Sequence, residues 1–376
     1  MASGPLTGVK IVEFAGIGPG PFCCMLLGDM GADIVRIDRR GTPDSTAHVI
    51  PREFDVASRG RRSVVLDLKD LAGKAVALQL VDKADAIVEG FRPGVMERLG
   101  FGPDVLLARN PRLVYGRITG WGQHGPLAHA AGHDINYIAI TGALAAIGPK
   151  EQPLPPMNLL GDYAGGSMYL AMGVLAGIIQ ARATGQGQVV DAAISDGVSS
   201  LMSVAYGLLA SGWWKLGRNN NNLDGGAPNY GTFECADGKW ISIAATGKPF
   251  YKQLRDIAGF TDPEFDQQRD RAHWSSLKAK IAAKFKTKTR AEWCALMEGT
   301  DVCFAPVLDM TEAPQHAHNK AREVFVTQDG VVQPAPAPRF LKTPGKIQGP
   351  APEIGQHTES ALADWGIAAA EIAKVR

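Results

Sequence analysis

Asp162 stands in the segment Gly161-Asp162-Tyr163-Ala164-Gly165-Gly166-Ser167, at the head of a long apolar run. A carboxylate in that place is ordinarily a helix cap, worth about 1 kcal/mol through the N–H groups it accepts. The flanking glycines leave the backbone bare, so a ligand could approach closely, and helix-start N–H groups could stabilise a developing oxyanion. Capping and catalysis are compatible, and both readings stand. Three histidines, His124, His129 and His133, form a second feature. His129 and His133 are four residues apart, as a helical metal pair would be, but Gly132 interrupts such a helix. No carboxylate or cysteine completes a ligand set at familiar spacing, which argues against a metal. His133, in Gly-His-Asp before the apolar residues 135–140, falls at a helix start and is a candidate for catalysis, although a lone histidine is more often structural than catalytic.

A glycine-rich turn, Gly16-Ile17-Gly18-Pro19-Gly20-Pro21, follows one apolar run and opens another, with Asp38 about 20 residues on. That order is nearly a dinucleotide-binding arrangement. It fails because Pro21 holds the third glycine position and Pro19 removes another N–H from the phosphate cradle, so a strand-to-helix turn is the better reading. Basic residues recur near the ends of the first elements: Arg36, Arg39, Arg40, Arg59, Arg61, Arg62, Lys69, Arg92 and Arg98. Singly they are solvated charges; together they could line a site for a multiply phosphorylated cofactor. Walker A, G-x-S-x-G and H-E-x-x-H patterns are missing from the sequence, which argues against the commonest phosphoryl-transfer, serine-hydrolase and zincin chemistries.

The elements that would position these residues alternate. Strand-like runs at 9–14, 33–37, 63–68, 86–88, 113–118 and 188–194 are interleaved with helical patterns at 22–30, 71–81 and 162–182. Such alternation predicts an α/β fold with a doubly wound, largely parallel sheet. Residues 232–245 read as a hairpin turning at Asp237-Gly238, followed by amphipathic helices in a more highly charged second domain. The expected boundaries are a large domain over 1–200 completed by 335–376, a linker at 201–227 containing four consecutive asparagines, a small domain at 228–330, and a proline-rich linker at 331–338. The tail, 359–375, reads as a helix returning to the first domain.

With 376 residues the chain exceeds one comfortable core, and 45% apolar with 20% charged residues is ordinary for a globular enzyme. A net charge of +1 argues against a nucleic-acid partner, which needs a concentrated basic face. The five cysteines lack C-x-x-C spacing and read as reduced thiols. The start lacks a secretory pattern, the last residues are not a peroxisomal address, and the apolar residues 168–179 are too few to span a bilayer. The expectation is a cytoplasmic protein without membrane insertion.

Several segments carry a closer likeness. Residues 4–39, 90–100 (GFRPGVMERLG), 119–136 (TGWGQHGPLAHAAGHDIN), 158–168 (NLLGDYAGGSM), 186–197 and 223–239 resemble the α-methylacyl-CoA racemases of the family III CoA-transferase superfamily. The resemblance spans nearly the whole chain. It implies a large Rossmann-like, parallel-sheet CoA-binding domain plus a small α+β domain, in an obligate interlocked homodimer whose active site lies between the large domain of one chain and the small domain of the other. It implies an isomerase that removes the α-proton of a 2-methylacyl-CoA and returns it to the opposite face. No prosthetic group is needed, and coenzyme A is part of the substrate. By resemblance the two bases are His133 and Asp162, and Arg39, Lys69, Arg92, Arg98, Ile17 and Tyr137 bind the CoA moiety; the N–H groups at the start of the expected helix, at Asp162 and Tyr163, are the expected oxyanion donors.

The likeness breaks at one place. The racemases carry a glutamate in the segment G-A-I-E-P-Q-F-Y, where it orients the catalytic histidine of the partner chain; here residues 244–251 read A-A-T-G-K-P-F-Y, with Gly247 in its place. Either another acid, such as Asp134 or Glu234, substitutes, or proton transfer on the histidine face is slower, or the reaction has changed. A CoA-transferase using Asp162 as nucleophile is the rival reading. A non-catalytic CoA-binding protein and an NAD-dependent oxidoreductase follow behind it. Met157, Met168, Met172 and Met202 would suit a forgiving acyl surface, though ordinary core packing accounts for most methionines.

Overall fold

The computed structural model describes residues 3–39 and 50–375, which divide into two compact units. The first unit opens with β1 (Lys10–Phe14), α1 (Pro19–Asp29), β2 (Asp33–Asp38), β3 (Arg62–Val65), α2 (Leu71–Val81) and β4 (Ala86–Glu89). It continues with α3 (Val95–Leu99), α4 (Pro103–Arg109), β5 (Val114–Thr119) and α5 (Asp134–Ala139). The second unit takes α6 (Ala143–Ala146). A π-helical stretch, Leu159–Ser167, then returns to the first unit and runs into α7 (Met168–Thr184), β6 (Val189–Ala193) and α8 (Ile194–Leu201). The second unit resumes with α9 (Ser203–Ala210), β7 (Tyr230–Glu234), β8 (Trp240–Ala244), α10 (Lys248–Ala258), α11 (Trp274–Phe285), α12 (Arg290–Met297), β9 (Phe304–Pro306) and α13 (Ala317–Ala321). The first closes with β10 (Phe325–Gln328), β11 (Val331–Pro334), α14 (Thr358–Asp364) and α15 (Ala369–Ala373).

All six expected strands of the first unit form one parallel sheet in the order β3-β2-β1-β4-β5-β6. The strand order reverses between β1 and β4, and such a switch point opens a crevice outside the carboxyl ends of the strands. The β-branched and aliphatic residues of these strands are buried, as strands covered on both faces require: Val12, Val35, Val64 and Ile87 sit at 0% exposure. Trp365 on the returning C-terminal segment seals the same core and donates its indole N–H to Asp33 at 2.7 Å. The tail is two short helices rather than one, since Gly366 takes φ 73° between them. Leu159–Thr184 is long and apolar enough to cross a membrane, but half of it is buried, and it packs on β5, β6 and α1.

The second unit holds an antiparallel sheet, β7-β8-β9, whose hairpin turns at Asp237-Gly238 with Gly238 at φ 73°. Its core is Phe233, Ile241, Ile243, Leu254, Ile281, Phe285 and Trp293. The strand β9 was not foreseen, and the boundaries shift. The stretch expected as a linker at 201–227 contains α9 and is folded into the second unit. There the asparagine run is locked: Asn221, 3% exposed, bonds Lys215 at both its oxygen and its nitrogen, and Asp224 accepts the N–H groups of Asn220, Asn221 and Gly226. The proline-rich segment is preceded by the β10–β11 hairpin, which belongs to the first unit because Arg59 donates to Gln333 at 2.7 Å and to the Pro334 carbonyl at 2.8 Å.

Candidate active site

The strand ends deliver the expected residues to one edge of the parallel sheet. Ile17, 55% exposed, lies in the turn after β1; Arg39 follows β2, Lys69 follows β3, and Arg92 follows β4. Arg98 lies in the last turn of α3. A cavity of about 430 Å³ opens there, walled by Phe14, Ile37, Leu66, Phe91 and Leu99, with Arg39 and Lys69 in its lining. The apolar wall with a cationic margin suits a flat ring system that carries phosphates. Other basic residues expected to join them are otherwise engaged. Arg59 pairs with Asp29, Arg61 with Glu13 at 2.9 Å, and Arg62 bridges Asp33 and Asp364. Arg36 touches the cavity but is bound to Asp38 and Ser58. These guanidiniums brace the sheet, because burying them required carboxylate partners. Arg40 lies outside the described residues.

Asp38 is turned away from a sugar-binding role. Its carboxylate accepts from Arg36 at 3.1 Å and from the Ser63 hydroxyl at 2.6 Å, and burial raises its proton affinity. The glycine-rich turn is a strand-to-helix turn, with Gly18 at φ 70° capping α1 and Pro19 in its first turn. A side chain on Gly18 would begin 3.7 Å from Asp162 Oδ2, which sets the turn directly against the candidate base.

Asp162 is not at a helix N-cap. It lies within the π-helical stretch that begins at Leu159, and the reason is Asp134. The Asp134 carboxylate accepts the Asp162 N–H at 2.7 Å and also the N–H of Gly161. With that amide drawn aside, the Tyr163 N–H reaches five residues back to the Asn158 carbonyl at 3.3 Å, which is a π turn. The Asn158 side-chain amide donates to Asp162 Oδ2 at 3.4 Å. Ser167, fully buried, donates its hydroxyl to the Pro19 carbonyl at 2.7 Å and the Asp162 carbonyl at 2.9 Å, so the turn is fixed from both ends. On the other side α8 lies so close that a side chain at Gly197 would collide with the Gly165 carbonyl oxygen.

Burial raises the proton affinity of Asp162, the Asn158 amide lowers it, the negative charge of Asp134 raises it, and a positive charge on His133 lowers it. The two candidate bases therefore feel each other within one unit. His133 is exposed, immediately before α5, with its own N–H on the Asn136 side-chain oxygen at 3.1 Å. The preceding loop is pinned by Tyr137, whose hydroxyl donates to the Gly132 carbonyl and whose ring meets Trp121 edge-on at 4.8 Å. His129 lies in this irregular loop, so its spacing to His133 does not place the two on one helical face.

Two expectations change with this geometry. The N–H groups of Asp162 and Tyr163 are both bonded, to Asp134 and to Asn158, and are not available to an oxyanion. Asp134 faces these backbone amides rather than serving as an orienting acid for His133, and Glu234 is paired with Lys286 at 2.8 Å. Asn158 was missed as a site residue, and Asp134 was considered only as an acid for the histidine, not as a partner of the Asp162 backbone. A helix begun three residues earlier would have put Asn158 four residues before Asp162, on the same face.

A protein-family model described as CoA-transferase family III matches residues 6–358. The alpha-methylacyl-CoA racemase of Homo sapiens is 42% identical over 98% of this chain and 95% of its own length. The succinyl-CoA–L-malate CoA-transferase beta subunit of Chloroflexus aurantiacus is 32% identical over 95% of this chain and 93% of its own. Among solved structures, a CAIB/BAIF family protein from Brucella suis superposes with a TM-score of 0.83 at 26% identity, covering 96% of this chain and 100% of the other.

Proposed function

The chain belongs to CoA-transferase family III, and from that membership we propose that it interconverts the two configurations at C2 of 2-methylacyl-CoA thioesters. The thioester carbonyl acidifies the α-proton. One base removes it, the enolate carries its charge on the thioester oxygen, and a second base returns a proton to the opposite face. His133 and Asp162 are the two bases. The oxyanion donor is assigned to the Asp134 N–H, next to His133, for which no acceptor stands among the described residues. The CoA nucleotide enters the cavity at the sheet edge, with Arg39, Lys69, Arg92 and Arg98 answering its phosphates. No prosthetic group takes part. The working unit is an interlocked homodimer; in support, α9 buries none of its own residues and exposes Val204, Tyr206 and Leu209.

One observation carries the reading: Asp134, neighbour of His133, grips Asp162 in a chain 42% identical to a racemase. The rival, a CoA-transferase in which the Asp162 carboxylate attacks the thioester and expels the CoA thiolate, draws support from the Chloroflexus relative and from Gly247. The deciding experiment incubates a single-enantiomer 2-methylacyl-CoA with the protein in D2O without free acid, followed by NMR. α-Deuteration with loss of stereochemical purity is the expected result. Absence of exchange, with CoA transfer on adding a carboxylic acid, would replace the racemase by the transferase.

A further inference from the structure

We propose that the Asp134 carboxylate is the positioning group for the second base, holding Asp162 through its backbone while His133 is held by the adjoining peptide bond. The proposal rests on the racemase reading and goes further, since it assigns Asp134 a role that neither proton-transfer base performs. Three observations carry it. Asp134 is 8% exposed, yet its carboxylate spends its bonds on two backbone N–H groups, those of Gly161 and Asp162. Its other oxygen, Oδ1, is buried and has no hydrogen-bond partner, so the group is held for what Oδ2 does rather than for solvation. The contact is also built for closeness: a side chain at Gly161 would collide with Asp134 Oδ2.

The clamp has a mechanical and an electrostatic consequence. Mechanically, taking the Asp162 N–H out of the helical ladder produces the π turn and so sets the direction in which the Asp162 side chain leaves the backbone. One residue joins the two bases: His133 precedes it in the chain and Asp162 hangs from its carboxylate, so their separation is fixed by a short, buried linkage. Electrostatically, a second negative charge beside Asp162 favours its protonated form, opposing the effect of a charged His133. Losing the clamp disturbs geometry, and losing the charge disturbs proton affinity. Two variants separate these.

Asp134→Asn keeps a carbonyl oxygen for the amides and removes the charge. Gly161→Ala keeps the charge and forces the carboxylate off the amides. With enantiopure 2-methylacyl-CoA in D2O, both variants should lose at least about tenfold in kcat while KM stays within about threefold. The acid limb of the kcat–pH profile should move to lower pH in Asp134→Asn alone, because Asp162 then stays ionised further into acid. An unchanged kcat and an unmoved acid limb in Asp134→Asn, with the wild type active, overturn the proposal. Amide hydrogen exchange of Asp134→Ala reads the clamp without turnover. Protection at Gly161 and Asp162 should fall while protection in α7 persists, and protection retained at those two amides overturns the proposal even if the wild type proves inactive and the racemase reading fails.

Discussion

Gly247 is the N-cap of α10 with φ −89° and ψ 149°, an extended conformation open to any side chain. A Cβ there would stand 3.0 Å from the Phe250 ring, which is 38% exposed and has room to give. Gly247→Glu should therefore fold and, where the resemblance puts an orienting carboxylate for the histidine, raise kcat for interconversion about tenfold. Loss of stereochemical purity by NMR or polarimetry measures it; a rate equal to or below wild type would mean that the histidine is oriented by something else. The bases themselves predict a different signature. His133→Ala should abolish interconversion while leaving slow α-deuteration with retention for the enantiomer whose proton faces Asp162, and Asp162→Asn should leave the complementary face. Variants that lose exchange equally for both enantiomers would contradict the two-base assignment. At this scale the residue types were legible, because Gly-His-Asp and Gly-Asp-Tyr are written in the chain. Their hydrogen-bond partners were not, since Asp134 reaches Asp162 across 28 positions and nothing in the local spacing signals it.

The π turn is the element on which the site depends, and its glycines are where it is vulnerable. Gly165 abuts Val198, and Gly197 abuts the Gly165 carbonyl, so α8 and the turn meet backbone to backbone. Gly197→Ala has no flexible neighbour to displace and should destabilise the fold by roughly 1–3 kcal/mol, the cost of overpacking a filled contact. Thermal or denaturant unfolding of the purified variant measures it, and an unchanged midpoint would show that α8 can move aside. The sequence foretold the long helix from its apolar run, but placed its start at Asp162 because an acidic residue there satisfies the usual capping rule. The rule failed because the helical stretch begins at Leu159, so Asp162 lies inside it, with its own N–H held by a carboxylate 28 positions away. The six parallel strands were legible for a stronger reason: strands buried on both faces must be nearly continuous in apolar residues, and punctuating glycines and prolines bound each run. β9, three residues with an intermediate-exposed-intermediate burial pattern, offers no such signal.

Over the whole chain, the two units draw on different stabilising features. The second is held by an aromatic core, with Phe285 meeting Trp293 edge-on at 5.1 Å, whereas the first buries charged groups among its strands. Those buried groups make the first unit's stability depend on pH in two opposing senses. Burial raises the proton affinity of Asp29, Asp38 and Glu89 despite their arginine partners, so their contributions are fully present below the ordinary carboxylate range and are lost as pH rises through their folded values. His357 works the other way. Burial, reinforced by the Arg62 guanidinium, holds its imidazole below the ordinary 6.5, and its Nδ1 is buried without a hydrogen-bond partner. Its contribution is present above 6.5 and is lost as pH falls toward and through the depressed folded value, since the unfolded chain takes up the proton more readily. The residue sits where the C-terminal segment returns, its N–H on the Ser63 carbonyl at 2.9 Å and its carbonyl accepting the Ala361 N–H of α14. His357→Gln keeps a polar side chain of similar size and removes the titration, while the carboxylates and the Arg62–Asp33–Asp364 bridges stay as they are. The wild type should lose more of its melting temperature than the variant between about pH 7.5 and about pH 5, and the difference should vanish at the higher pH. Equal losses in the two proteins would place any acid sensitivity of this window at a group other than His357, since Glu264 and Glu312 of the second unit, held to about 2 by Lys280 and Arg290, lose their contribution only as pH falls below the ordinary glutamate value.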